Sequence, residues 1–393
     1  MRVAYVTRHH SSDVEAWSGL NHHIRRALGR SGCEIHTIDN LSEAQSLISA
    51  AKRLYYEKIA LKSFSDEREP FVLRSYATQV ENALASIDCD VVFSPGTLPL
   101  AYLQTDTPIV FWTDSTFAGM VDFYPSFTNL CEANIKQGNQ VEQAALNRCC
   151  LAIYSSEWAA STALRHYAVD AQKVKVVPFG ANVDGLQSPD EVARITSERS
   201  ADVCRLLFVG MDWIRKAGDF AVSVAELLNG QGVPTELNVV GCTPPRELPR
   251  YVKVHGYLSK ADELGARRLR RLFSDCHFLL HPSRAECFGL ALAEASAFAL
   301  PSLAAHVGGT ASVLTDGVNG RLFSLDAGAD AYCAYIRKLF ASRDEYLRLA
   351  SSAFREYSER LNWTVAGKRV RDLIEEAVPD IRRMQSRHRS STR

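Results

Sequence analysis

Short apolar runs alternate with stretches of helical period along most of the chain. Val3–Val6, Glu34–Ile38, Val91–Ser94, Ile109–Trp112, Ala152–Ser155 and Val174–Pro178 predict strands, and the apolar positions of Leu20–Ser31 predict a helix. A polar stretch, Ser188 to Asp202, interrupts the pattern. It restarts with Arg205–Gly210, a helix to Leu228, and the strand runs Glu236–Gly241, Val252–Gly256, Phe278–Pro282 and Leu300–Ala304. Strand and helix in alternation mean parallel sheets covered by helices. The expectation is an α/β chain of two Rossmann-like, doubly wound domains, residues 1–187 and 203–355, joined near residues 185–202. Long helices are expected over Tyr332–Arg360 and Thr364–Ala377, with Pro379 stopping the second. Residues 381–393 hold five arginines and no acid, the composition of a solvated tail.

Composition narrows the classes. At 393 residues, with 46% hydrophobic and 23% charged, each domain can bury a core unaided. Lys plus Arg and Asp plus Glu both number 45, so the formal charge is zero, which argues against a protein built to neutralise nucleic acid. The 10 cysteines include no Cys-x-x-Cys pair and read as scattered small apolar residues, hence reduced thiols and a cytoplasmic address. The chain enters a strand pattern at once, and no apolar run reaches membrane-span length, so membrane contact is expected to be peripheral at most.

In open α/β sheets, ligands bind beyond the carboxyl ends of the strands, where loops lead into helix N-termini that favour anions. The most informative such stretch runs from His281 through Pro282, Ser283, Glu286, Cys287, Phe288 and Gly289 to Leu290 and Glu294. A strand ends near Pro282, a loop carries Glu286, and a helix starting near Leu290 carries Glu294. The two carboxylates can therefore address two parts of one ligand, and Gly289 lets backbone N–H groups approach an oxygen-rich group. A second stretch follows Phe208-Val209-Gly210, where Arg215 and Lys216 precede a helix beginning near Asp219; it makes a plausible cradle for a diphosphate.

These residues closely resemble the signature of the family 4 retaining glycosyltransferases of the GT-B fold. The matching positions are Pro282-Ser283, Glu286, Phe288-Gly289, Glu294, Val307-Gly308-Gly309 and Asp316 to Gly320. The resemblance implies two domains facing across a cleft, with the last helix, 356–380, crossing back to the N-terminal domain. It implies that Glu286 holds hydroxyls of the donor sugar, Glu294 the ribose of the nucleotide, and the Gly308-Gly309 loop backbone contacts. Lys216 matches a family lysine before the helix. Met211 stands where the family usually has arginine, so that role is lost or passes to Arg215.

The N-terminal half, where such enzymes bind acceptors, matches less well. Trp17-Ser18-Gly19-Leu20 fits a loop that often carries paired glycines, with Gly19 as the one present. Asp114, after the strand ending in Trp112, stands where a histidine is usual, and is either an active-site residue or a helix cap. Residues Ile153–Trp158 and Pro178–Asp184 complete the resemblance.

Other signals weigh less. Asp88-Cys89-Asp90 imitates a metal motif but precedes its strand, away from the ligand end of the sheet. The pairs His9-His10 and His22-His23 lack the i, i+4 partner of a zinc site, though His9 or His10 could touch substrate. Residues 51–62 mix four basic residues with aliphatics and aromatics, and the favoured reading is a core-facing helix with a solvated basic face. The other reading is a helix lying on an anionic bilayer.

The resemblance implies transfer of a hexose, with retention, from a UDP- or GDP-sugar to a hydroxyl of a glycan, lipid or small-molecule acceptor, and it implies that no metal or other cofactor is needed. Two further classes stay open: a sugar-phosphate epimerase or phosphorylase of the same fold, and a non-catalytic sugar-nucleotide-binding protein.

Overall fold

The computed structural model describes residues 1–183 and 188–378. Asp184 and the basic tail 381–393 lie outside the described residues. The chain divides into two compact units: Met1–Val177 together with the chain from Ala366 on, and Pro178–Val365.

The first unit holds a six-stranded sheet of β1 (Arg2–Val6), β2 (Glu34–Ile38), β3 (Val91–Ser94), β4 (Ile109–Thr113), β5 (Cys149–Tyr154) and β6 (Val174–Val176). All are parallel, in the order β2-β1-β3-β4-β5-β6. Every residue of β3 and β4 is buried, which is why these strands read as continuous apolar runs rather than alternating ones. One layer of the core packs Ala4, Val6, Val92, Phe111 and Tyr154 against Val80, Ala145 and Ala159 from the covering helices.

The second unit repeats the plan with β7 (Cys204–Gly210), β8 (Thr235–Gly241), β9 (Val252–Val254), β10 (Phe278–His281), β11 (Ser302–Ala305) and β12 (Gly320–Phe323). The order is β12-β11-β10-β7-β8-β9, again all parallel. The sheet order reverses between β7 and β10, because the chain runs outward from β7 to β9 and then returns past β7 to add β10.

Several expectations are corrected. The stretch 188–202 is no linker. Pro189–Glu198 is a helix capped by the Ser188 hydroxyl, and its Val192 packs against Ala299 and Ala350. Arg199 follows it, buried, with its guanidinium on the carbonyls of Ser274, Phe298 and Ala299 and on the Tyr346 hydroxyl. The charge made the segment look solvated, and most of it does face solvent, but Arg199 is buried and satisfied internally. The first unit ends at Val177 rather than 187, because Phe179 stacks on Trp363 and meets Phe288 edge-on, anchoring 178–182 to the second unit. The expected helix 332–360 is two helices, Ala329–Ala341 and Arg343–Glu359, broken at Ser342. Strand β12 was not anticipated: its four residues open on Gly320, whose φ of 154° and contact with the Ser302 carbonyl leave no room for a side chain.

The last helix, Trp363–Ala377, begins in the second unit and continues in the first. Trp363 donates from Nε1 to Asn182 Oδ1 at 2.9 Å. Gly367 then lies against the helix Leu20–Arg30, where a Cβ would come within 2.6 Å of the Ala27 carbonyl oxygen, and Arg371 donates to the Ser31 carbonyl at 2.6 Å. The return to the first unit thus starts at Ala366, not 356.

The helix Leu47–Lys58 reverses the favoured expectation of a core-facing apolar side. Leu47 is 91% exposed, and Ile48, Leu54 and Tyr55 are exposed with it, whereas the buried side carries Ser49. Its cations Lys52 and Arg53 are paired with Glu69 and Asp66 at 3.0 and 2.7 Å.

Candidate functional site

The site in the second unit grows from the two strands that flank the reversal of the sheet, the position where crevices form in doubly wound folds. After β7 the chain turns through 211–217 into the helix Gly218–Gly230. The stem of Lys216 folds back over Gly210, where a Cβ would meet Lys216 Cγ at 2.7 Å. Trp213 packs on Gly218 and donates to Asp219, which fixes the turn. After β10 the loop 282–289 carries Glu286 and ends at Gly289, whose φ of 93° caps the helix Leu290–Ala297.

Lys216, His281 and Glu286 meet at this point, all of them buried. Lys216 Nζ and His281 Nε2, the latter at 3.0 Å, both bind Glu286 Oε2. An Arg215 guanidinium nitrogen lies 3.7 Å from the same oxygen and donates to the Ala285 carbonyl at 3.0 Å. These three contacts all fall on Oε2. Burial alone would raise the Glu286 pKa, but the Lys216 charge and the His281 hydrogen bond outweigh it and hold the carboxyl well below its usual range. Burial, with Lys216 adding to it, lowers His281, so its imidazole is neutral near pH 7. Because an ionised Glu286 can only accept, His281 carries its proton on Nε2. Burial also pushes the Lys216 ammonium down against the pull of Glu286.

Glu294, buried in the second turn of its helix, pairs with Lys260 from the loop after β9. Sequence reasoning missed Lys260, since nothing in the sequence sets it apart from other loop lysines. It also gave His281 no role, although His281 heads the quoted motif. Phe288 packs inward against Phe179, and Cys287 is buried beside it in the chain. Gly308 adopts φ 54°, but the Gly309 N–H already donates to the Glu286 carbonyl at 3.0 Å. Of the expected pair of loop donors, Gly309 is thus committed to holding the Glu286 loop. Met211, in the position of the absent arginine, is 65% exposed, while Arg215 reaches Glu286 instead.

Asn319 likewise has a structural task. Its amide bonds Thr315 N, Ser296 Oγ and the Val313 carbonyl, which shapes the turn into β12.

In the first unit, Gly19 has φ 78° and a Cβ there would lie 2.7 Å from the Val14 carbonyl oxygen, so the loop before the first helix requires it. Asp114 follows β4 but is not the cap of the next helix: Thr116 Oγ1 accepts from Gly119 N at 3.1 Å and fills that role. Asp114 Oδ1 accepts from the Ser115 hydroxyl at 3.2 Å. Asp88 and Asp90 both pair with Arg2, an arrangement that ties the start of β1 to the start of β3. Among the described residues no three His, Cys, Asp or Glu side chains group as a metal site. No helix among them is long and apolar enough to cross a membrane.

Residues 204–342 match the family model described as Glycosyl transferases group 1. Over this segment the chain is similar to the group 1 glycosyl transferases. The segment contains Lys216, Glu286 and Glu294. Among curated relatives, D-inositol 3-phosphate glycosyltransferase of Streptomyces bingchenggensis is 30% identical over 254 residues, 60% of this chain and 55% of that one. The enzyme of the same name from Streptomyces coelicolor is 27% identical over 310 residues, 69% of this chain and 66% of its own. The match thus spans little more than half the length of the first of these relatives. Among solved structures, a sucrose-phosphate synthase from Thermosynechococcus elongatus superposes with a TM-score of 0.70 at 18% identity, covering 96% of this chain and 98% of its own. The Anabaena protein HepE, in complex with UDP and glucose, gives 0.64 at 14% identity, covering 95% and 99%. The two Rossmann-like domains around this glycosyltransferase signature are those of the GT-B fold.

Proposed function

We propose that the chain is a retaining glycosyltransferase that moves a hexose from a UDP- or GDP-sugar to a hydroxyl of a glycan, lipid or small-molecule acceptor. The observation that carries this reading is the one-sided engagement of Glu286. Oε2 is engaged by Lys216 and His281, which holds the carboxylate in place, and Oε1 would accept from donor-sugar hydroxyls. Glu294, oriented by Lys260, would hold the ribose. Lys216 and Arg215 supply the positive charge next to the departing diphosphate, with the N-termini of the helices at Gly218 and Leu290 adding their dipoles. Gly210 and Gly289 let the chain approach the donor closely, and Cys287, Phe288 and Leu290 hold the loop that carries Glu286. In this reading the charge on the leaving group is met by side chains, and no metal takes part. Asp114, which does not cap a helix, remains a group for the reacting end of the sugar or the acceptor.

Bilayer contact belongs to the same reading. The exposed stripe Leu47, Ile48, Leu54 and Tyr55, followed by exposed Ile59 and Leu61 with Lys58 and Lys62 among them, has the make-up of an interfacial helix.

The test is thermal unfolding of the protein against UDP, GDP, ADP and their sugar conjugates, followed by transfer assays with the conjugate that binds. A ligand at 100 times its Kd adds about 2.7 kcal/mol to stability. Glu286→Ala is expected to abolish transfer and keep nucleotide affinity nearly intact, whereas Glu294→Ala weakens nucleotide binding as well. Full activity in both variants would overturn the assignment.

A further inference from the structure

Beyond the carboxyl ends of β1 and β2, the first unit contains a cavity of about 640 Å³. Arg8 and His9 enter it from the end of β1, and Glu43 from beyond β2. Arg53 and Glu57 come from the helix Leu47–Lys58, and Ser65, Asp66, Glu67, Phe64 and Tyr76 complete the wall. Its volume lies in the range of small-molecule sites.

The charges on the wall do not balance. Arg8 is spent on Glu67 at 3.0 Å and Arg53 on Asp66 at 2.7 Å. His9 adds no positive charge near pH 7, because burial and the adjacent Arg8 both push its pKa down. Glu43 and Glu57 remain, and neither makes an ion pair among the described residues. The lining is therefore formally negative, even though it contains two arginines. Alongside the carboxylates stand the Ser65 and Tyr76 hydroxyls, the His9 imidazole and the Phe64 ring, which itself stacks on Tyr56 at 5.5 Å.

We propose that this cavity is the acceptor site of the transferase and that it takes an unphosphorylated polyhydroxylated ring, neutral or carrying an amine, while rejecting sugar phosphates. Carboxylates accept hydrogen bonds from vicinal hydroxyls or an ammonium, and an aromatic face suits the C–H surface of a sugar ring. A phosphate dianion would meet two unpaired carboxylates and find both arginines already engaged, so it is excluded by repulsion rather than by size. The proposal rests on the transferase reading above for the word acceptor, and on the cavity alone for the ligand class.

The experiment is saturation-transfer NMR on the full chain with glucose, glucosamine and glucose 6-phosphate, run beside a thermal-shift titration with UDP. The expected result is transfer to glucose and glucosamine, at least tenfold weaker transfer to glucose 6-phosphate, and loss of the signal in Ser65→Trp. That variant fills the cavity while keeping the backbone bonds of Ser65 to Asn134. Glu43→Gln with Glu57→Gln, both exposed positions, is expected to narrow the discrimination against glucose 6-phosphate several-fold. Equal or stronger binding of glucose 6-phosphate by the native chain, or signals unchanged in Ser65→Trp, would overturn the proposal. If UDP shifts the melting temperature and none of the three sugars engages the cavity, the acceptor proposal falls and the transferase reading stands. If the sugars bind and no nucleotide or nucleotide sugar does, the ligand class stands and the transferase reading falls.

Discussion

The two units share a six-stranded parallel plan and treat charge at the strand ends in opposite ways. In the second unit one carboxylate, Glu286, is buried and met on a single oxygen by a lysine and a histidine, all at the ends of two adjacent strands or in the loops after them. In the first unit, the carboxylates Glu43 and Glu57 line an open cavity without cations of their own. A compensated, desolvated cluster holds one geometry, as suits a group that must meet a particular part of a substrate. An open, uncompensated wall selects by charge and tolerates variety in its ligand. In the proposed reading, the first kind of site suits the donor and the second the acceptor.

Removing compensation is the strongest way to break this contrast. Lys216→Ala leaves Glu286 ionised in a buried site with a neutral imidazole in contact and the Arg215 guanidinium, at 3.7 Å, as its remaining cation. It is expected to destabilise the second unit by about 3–5 kcal/mol and to abolish transfer, read by urea unfolding and by turnover. Lys216→Met with Glu286→Leu should recover much of that stability and none of the activity.

In the first unit the buried Glu142 makes no ion pair among the described residues, and burial outweighs the pull of the Arg68 charge. Glu142 accepts from Thr97 Oγ1 at 2.9 Å, its Oε1 is buried with no hydrogen bond, and burial raises its pKa to about 7. A carboxyl raised in the folded state stabilises below its unfolded pKa, and that contribution is lost as pH rises through the folded value. The first unit should therefore lose roughly 3 kcal/mol between pH 4.5 and pH 7, with little further change above. Glu142→Gln should flatten that slope in unfolding experiments across the same window. A slope that persists in the variant would assign the effect to another group.

A smaller effect separates Asp114 from its neighbour. Thr116→Ala removes a helix cap and should cost about 1 kcal/mol, with turnover reduced little. Asp114→Ala should change stability by less than about 0.5 kcal/mol and still lower turnover, if it faces the reacting groups. The smallest expected effect on folding is at the helix Leu47–Lys58. Leu54→Ser with Ile48→Ser should leave the melting temperature nearly unchanged, because both side chains already face solvent. The same pair should weaken sedimentation with vesicles containing anionic lipid.

The legibility of the two units follows the same contrast. Glu286, Gly289 and Glu294 lie within nine residues of one strand–loop–helix, so their joint geometry is local and can be read from spacing. Lys216 could be placed because the turn after β7 is a second local motif. Lys260 could not, since its meeting with Glu294 depends on how the loop after β9 folds over a helix 34 positions later. The cavity of the first unit draws on five separate segments, and of its walls only His9 and the stretch 51–62 were singled out in advance, the latter for another role. Helix 189–198 was hidden because its buried surface is only Val192 and Thr196, and because Arg199 satisfies its charge on carbonyls that no local pattern announces. The exposed stripe of Leu47–Lys58 deceived in the other direction, since helical period alone does not say whether a core lies on the apolar side.

The last helix has a consequence for how the protein is made. The first unit is interrupted at Val177 and completed only from Ala366, with the whole of the second unit synthesised between. On the ribosome, residues 178–365 have emerged and can reach their own compact state before the segment carrying Gly367 and Arg371 exists to cover the helix Leu20–Arg30. Until then that helix waits with an uncovered face, so the N-terminal half is the last to be finished although it is the first to be translated. Damage to the seam at Gly367 should show in nascent-chain yield and chaperone demand before it shows in any property of the finished candidate site.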